Sequence, residues 1–362
     1  MRLSLFVIAF LFVFPVSAQK IAPGFDAKEY ISLFSLETFG NSIADSNLRK
    51  TQKDVYERVY RSPEVGLKNR WAFYRRNDDV GVISIRGTVP DAKSWLANFY
   101  MAMVPAIGSL QLNDSTVFHY KLANDSGAAV HAGWTVALGF MAPDVQRLIT
   151  EQYAKGVKEY YIFGHSQGGA IAYLMRSYLF YLQQDGRLPG DIVFKTYCSA
   201  APKPGNLAYA YDYEFINRGG WAYTVVNAED WVPESPYTVQ KIQDMNKVNP
   251  LIHAKDALKK QKFILRLIGN HYYNKIERRP RKLQKMYNNI FGNTLYGRVV
   301  SKALPGFDKP QYASTTNYMR AGTPIVLMPD ADYRKRFYFK KDYFVHHSFE
   351  AYYDLLKKQY LK

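Results

Sequence analysis

Residues 158–170, KEYYIFGHSQGGA, constrain the chain more than any other stretch. Tyr160, Tyr161, Ile162 and Phe163 are β-prone and apolar, as a buried central strand requires. Gly164, His165, Ser166, Gln167 and Gly168 then fit the pattern G-x-S-x-G. In that pattern the serine occupies a strained strand-to-helix turn that lifts its hydroxyl clear of the sheet. The flanking glycines remove Cβ atoms that would collide there. Gly169 to Met175 opens a long helix behind the turn. A helix start offers unpaired amides and a positive dipole end to a negative charge forming beside it.

Around this turn the pattern alternates. Strands are expected over 71–75 and 80–85, joined at Asn77-Asp78-Asp79, and again over 116–122, 191–199 and 221–226. A helix is expected over 134–154, with Pro143 breaking or kinking it, and another after Asn206 as its cap. The order strand, helix, strand, helix, strand implies parallel βαβ units. Residues 19–68 read as a helical preface, with Tyr30, Leu33 and Phe34 on one face and Val55 and Val59 in a second, polar helix. Before it, Arg2, an apolar run over 3–16 and Val16-Ser17-Ala18 read as a secretory signal peptide, 1–18. The expectation is an exported, soluble mature protein, secreted or periplasmic, forming one domain over 19–362. Cys198 is the only cysteine, so no disulfide can form within the chain.

The net charge of +17 points toward anionic surfaces. Its densest part lies in a basic helical insertion expected over 237–344. Between 241 and 300 there are 14 Lys and Arg against 3 Asp and Glu, a balance of +11. Leu251, Ala254, Leu258, Ile264, Leu265 and Ile268 keep helical spacing, with Gly269 as a stop; Leu283, Met286, Tyr287 and Ile290 resume it between Pro280 and Gly292. Such a face is either solvated or docked on anionic lipid headgroups. No helix-turn-helix, zinc-ligand or RNA-binding signature accompanies the charge, so nucleic acid is not an expected partner. Residues 89–110, with Trp95, Leu96, Phe99 and Val104, are more apolar than a surface loop. They form either a buried helix or a lid over the serine.

A serine hydroxyl attacks only when a base takes its proton, and the base is ordinarily a histidine steadied by a carboxylate. His346 and His347 lie in a loop before the final helical pattern, where a loop-borne base belongs; His253 and His271 lie in the basic region and read as surface residues. Asp230 follows the strand over 221–226, with Glu229 beside it as the alternative acid.

Five stretches together resemble the class 3, fungal-type triacylglycerol lipases. They are Ile85-Arg86-Gly87-Thr88, Val130-His131-Ala132-Gly133, the 164–169 turn, Pro202 to Asn206, and Asp230-Trp231-Val232-Pro233. The stretch from His347 to Tyr352 also resembles a His-x-x-Glu-x-Tyr ending seen in some members. The resemblance implies an α/β-hydrolase fold, a mostly parallel sheet flanked by helices. It implies Ser166 as nucleophile, Asp230 as orienting acid and His347 as base, with His346 the alternative. It places the oxyanion between the amides of Thr88 and Gln167, and a lid carrying Trp95, Leu96 and Phe99. It gives His131 and His165 structural roles, and it requires no cofactor and no metal. The fungal relatives carry disulfides that this chain cannot make, and the basic region between Asp230 and His347 has no counterpart among them. The expected activity is hydrolysis of lipid carboxylic esters. A phospholipase or soluble-ester esterase is the enzymatic alternative, and an envelope polyanion-binding protein the non-enzymatic one.

Overall fold

The computed structural model describes residues 19–37, 55–338 and 341–361; the 1–18 segment lies outside them. A seven-stranded sheet organises the fold, and its strands lie side by side in sequence order. They are β1 (Tyr56–Arg61), β2 (Trp71–Arg76), β3 (Gly81–Ile85), β4 (Glu159–His165), β5 (Val193–Ser199), β6 (Ala222–Asn227) and β7 (Thr323–Leu327). β1 to β3 pair antiparallel, and from β3 onward every pairing is parallel. Nine helices serve as landmarks: α1 (Ala27–Glu37), α2 (Ala92–Phe99), α3 (Ala132–Tyr153), α4 (Gln167–Gln184), α5 (Leu207–Ile216), α6 (Ala254–Lys259), α7 (Phe263–Asn288), α8 (Ala331–Arg336) and α9 (Phe349–Tyr360). This is the α/β-hydrolase arrangement, a mostly parallel sheet between helices with the serine turn following a central strand.

The two-residue period of β4 divides the core. Tyr160 and Ile162 enter one apolar cluster with α3 and α4, while Tyr161 and Phe163 enter a second with α1 and α9. A strand buried on both faces reads as continuously apolar, which is why 160–163 carries no polar alternation. Fifteen of the 18 residues of α4 are buried, so it is a core helix rather than a surface amphipath. Each fully buried Leu or Ile in such a layer contributes roughly 1.5–3 kcal/mol.

Several expectations are corrected. Val59 does not belong to a polar helix with Val55: Val55 is helical, but 56–61 is β1, the edge strand, whose Tyr56 is buried in the α1 cluster. A four-residue spacing in a short segment does not separate helix from strand when the edge is half solvated. α3 runs unbroken through Pro143, held by buried neighbours on both sides, Met141, Ala142 and Val145. Gly269 does not stop a helix and Pro280 does not start one, because α7 passes through both. A Cβ on Gly269 would lie 2.3 Å from Leu258 Cδ2, so the glycine lets α6 lie against α7. The 237–344 region is not helical throughout. Its end supplies β7, whose short apolar run joins the sheet edge beside β6. Nor is 89–110 one helix. α2 ends at Phe99, and strands at Met103–Pro105 and Ile107–Asn113 follow.

Candidate active site

Ser166 holds φ +60° and ψ −129° between β4 and α4. For a residue with a Cβ this is a strained conformation, sustained only when the surroundings fix it. They do so by close approach: a Cβ on Gly168 would lie 2.0 Å from Ile85 O of β3. The turn is thus pressed against the loop that leaves β3, which carries Gly87 and Thr88.

Asp230 follows β6 in a tight turn, its amide bonded to Asn227 O at 3.0 Å. Its side chain is buried and accepts three hydrogen bonds. Val232 N donates to Oδ1 at 3.0 Å, and His347 Nδ1 and Tyr352 OH donate to Oδ2 at 2.7 and 2.8 Å. His347 lies in the 3₁₀ turn Val345–His347, and Ser348 then caps α9. Because a carboxylate only accepts, His347 carries its proton on Nδ1. Nε2 is buried and has no hydrogen-bond partner among the described residues. His346 faces elsewhere: Tyr333 OH donates to its Nδ1 at 2.9 Å, and Asn227 Nδ2 donates to its carbonyl at 2.9 Å.

Thr88 and Gln167 meet through their side chains. Trp134 Nε1 donates to Asn98 Oδ1 at 3.0 Å, Asn98 Nδ2 to Thr88 Oγ1 at 2.9 Å, Thr88 to Gln167 Oε1 at 2.9 Å, and Gln167 Nε2 to Asn69 Oδ1 at 2.8 Å. This chain joins α2, the β3 exit and the start of α4. Gln167 is the first residue of α4, so its amide has no place in the helix ladder. Neither Asn69 nor Asn98 stood out in the sequence. Their partners come from distant segments, and no local motif marks them.

Ser166, His347, Thr88 and Gln167 border one cleft of about 590 Å³. Its walls are largely apolar, with an aromatic row along one side. Phe99, Trp95, Phe344 and Trp231 follow one another with ring centroids 5.5–6.0 Å apart. Trp95 and Phe99 therefore line the cleft, whereas Leu96 is turned into the main core and does not. The i, i+1 geometry of a helix sends neighbouring side chains to different faces.

Two further histidines brace the site. His165 lies under His347, the ring centroids 4.5 Å apart, and stacks on Phe34 of α1. Its Nε2 donates to His347 O at 3.0 Å, and its Nδ1 accepts from Ser199, which is bonded in turn to Tyr30 OH at 2.5 Å. Burial and the neighbouring His347 imidazole hold it well below the ordinary histidine range. His131 caps α3, accepting from Trp134 N at 3.3 Å, and its Nε2 donates to Asn98 O at 3.1 Å. Burial pushes its pKa down to about 3.

A stability profile follows from these two shifts. Folded His131 stays neutral down to about pH 3, while the unfolded chain takes up its proton near pH 6.5. Between those values the unfolded state binds more protons, so stability is fully present above about pH 6.5 and is lost as pH falls. Each such group contributes about 1.4 kcal/mol per pH unit. Calorimetry is expected to show Tm falling between pH 6.5 and 4, with about half that slope removed in His131→Gln. Equal slopes in the two proteins would contradict the buried neutral imidazole.

Comparison with known proteins bears on this geometry. Residues 82–240 match the family model described as lipase (class 3). A secreted mono- and diacylglycerol lipase of Fusarium solani is 26% identical over 178 residues, 48% of this chain. The match spans only 45% of that relative's length. Among solved structures, a triacylglycerol lipase is 20% identical with a TM-score of 0.42, covering 58% of this chain and 73% of its own. Lipase II from Rhizopus niveus is 21% identical with a TM-score of 0.41, covering 58% and 74%. All five quoted motifs fall inside the matched segment, and His347 falls outside it. Residues 82–240 are thus similar to the class 3 lipases, and they include the strand–turn–helix at the centre of the sheet.

Proposed function

We infer that the protein is an exported serine hydrolase that cleaves carboxylic esters of lipids through an acyl-serine intermediate. The reading rests most on one observation. An imidazole fixed by a buried carboxylate at 2.7 Å keeps its other nitrogen free, in the same cleft as a strained, glycine-flanked serine. Ser166 Oγ attacks the ester carbonyl carbon as His347 Nε2 takes the hydroxyl proton. Asp230 stabilises the imidazolium. The carbonyl oxygen gains the charge, and the amides of Thr88 and Gln167 bind it. Collapse expels the alcohol, which receives the proton from His347. Water then repeats the attack on the acyl-serine, and the carboxylic acid leaves.

The apolar walls suit an apolar acyl chain, and the relative's description as a mono- and diacylglycerol lipase supports partial glycerides as substrates. Export is supported by residues 1–18 as a signal peptide and by that relative's description as secreted. Among the described residues no helix is long and apolar enough to cross a membrane. Residues 19–362 act as one domain, with the basic helices as an addition between acid and base.

A fluorophosphonate probe is expected to label the native protein at Ser166, and a panel of mono-, di- and triacylglycerols, phospholipids and short-chain esters to give its highest kcat/KM on a glyceride. Absence of labelling would remove the mechanism. Highest turnover on a phospholipid would move the assignment to a phospholipase.

A further inference from the structure

The hairpin of α6 and α7 lies beyond the matched lipase segment and plays no part in the cleft chemistry. α7 is 26 residues long. Its inner side faces the body. Gly269 meets Leu258 of α6, Gln284 and Tyr287 are buried at its far end, and Asn288 Nδ2 donates to Ala313 O at 2.8 Å. Tyr287 packs with Met103 and Tyr318, and Met101 leans on the same small cluster. Met101 also borders the cleft, so the root of α7 stands beside the catalytic cavity.

The outer side is unlike the rest of the surface. Ile264, Ile268, Tyr272 and Ile276 follow one another at four-residue steps and are 69, 50, 59 and 63% exposed. Side chains at that spacing share one helix face. Leu265 extends the stripe, at 56%. Large apolar groups in an exposed contiguous row mark an interaction surface. Past Ile276 the character changes to basic: Arg278, Arg279, Lys282 and Lys285 are all exposed. The single acid of α7, Glu277, turns inward and is paired with Arg281 at 2.5 Å. The outer face is therefore apolar in its first half and cationic in its second, with no exposed carboxylate along it.

That combination selects the partner. A nucleic acid would satisfy the cations and leave the aliphatic row in water. A second copy would bring two cationic faces together. An anionic bilayer accepts both halves, the apolar row among the upper acyl chains and the cations on the headgroup phosphates. The apolar half of α7 is too short to span a membrane, which leaves an in-plane position.

We propose that α7 is an in-plane membrane anchor that docks the protein on anionic phospholipid bilayers through the Ile264–Ile268–Tyr272–Ile276 row and the basic residues that follow. The anchor relies on the ester-hydrolase reading only for what reaches the cleft, because docking itself needs no catalysis. The test uses full-length protein carrying Ser166→Ala, so that vesicles stay intact, in flotation with phosphatidylglycerol-rich or pure phosphatidylcholine vesicles. Binding to the anionic vesicles and little to the neutral ones is expected. Replacing Arg278, Arg279 and Lys282 with Gln is expected to weaken anionic binding roughly 100-fold, about 1 kcal/mol of surface attraction being associated with each cation. Ile264→Ser with Ile268→Ser and Ile276→Ser is expected to weaken it at least tenfold, roughly, and to leave a residue that high salt abolishes. With Ser166 restored, both sets of variants should turn over p-nitrophenyl butyrate in solution as the parent does, which reports that they fold. Equal binding to both vesicle types, or undiminished binding by the serine variants, would overturn the anchor. So would sedimentation showing that the aliphatic row instead mediates dimerisation. Vesicle binding without ester turnover by the parent protein would sink the hydrolase reading alone, and turnover without vesicle binding the anchor alone.

Discussion

Ser166→Ala is expected to lower kcat for p-nitrophenyl butyrate by on the order of 10⁴-fold or more, with the fold retained. The loss is that large because, in the proposed mechanism, the hydroxyl is the atom that bonds to substrate, so no neighbour substitutes for it. His347, Asp230 and the braced Thr88–Gln167 pair would remain in place, and binding of an ester analogue should change little. Ser166→Gly sharpens the experiment. Both variants lack the nucleophile, but glycine adopts φ +60° without a Cβ clash, whereas alanine keeps the strain of the turn. The glycine protein should therefore melt no lower than the alanine protein, its greater unfolded-state freedom being offset by the strain released. Turnover in either variant above about 1% of the parent would remove Ser166 from the mechanism.

The second large effect belongs to Asp230→Asn, expected to reduce kcat by roughly 10³–10⁴ with a much smaller change in KM. Asp230 is buried and accepts from Val232 N, His347 Nδ1 and Tyr352 OH. An amide offers one acceptor oxygen and an NH₂ group that cannot accept from an imidazole N–H. His347 would then either lose its partner or move its proton to Nε2, the nitrogen that must be unprotonated to serve as base. Fluorophosphonate labelling should slow by a similar factor. Two companions locate the effect. Tyr352→Phe removes one donor and leaves the acid–imidazole bond, so its loss should be about tenfold. His346→Ala should retain most activity, since His346 is turned toward Tyr333. A large loss in His346→Ala with little in Asp230→Asn would reverse the assignment of base and acid.

What the sequence made legible was local or ordered along the chain. The serine turn is written in five adjacent residues, because its close packing admits only glycine at positions such as Gly168. Asp230 and His347, singled out by their order after the serine and by their places at a strand end and before a helix, do meet in the structure at 2.7 Å. The bracing was not legible. Asn98 links Trp134 to Thr88, and Ser199 links Tyr30 to His165, across segments with no sequence relation. Tyr352 stood in a quoted motif, yet only the fold brings its hydroxyl to Asp230. β1 and β7 were missed because both are edge strands whose pairing partner, not their own pattern, defines them. Gly269 was misread because a glycine needed for helix contact looks, in sequence, like one that ends a helix.

The segment around His347 is tethered along its length. Trp231 Nε1 holds Tyr343 O at 2.7 Å, Asn227 holds His346 O, Tyr333 holds the His346 ring, and His165 holds His347 O. A margin fastened so often cannot swing aside to admit a bulky molecule without breaking several bonds at once. For the proposed hydrolase, traffic into and out of the cavity is then expected at the opposite margin, where the eight-residue α2 presents Trp95 and the half-exposed Phe99. The proposed chemistry would thus keep a fixed frame on one side and leave the doorway to a single short helix on the other.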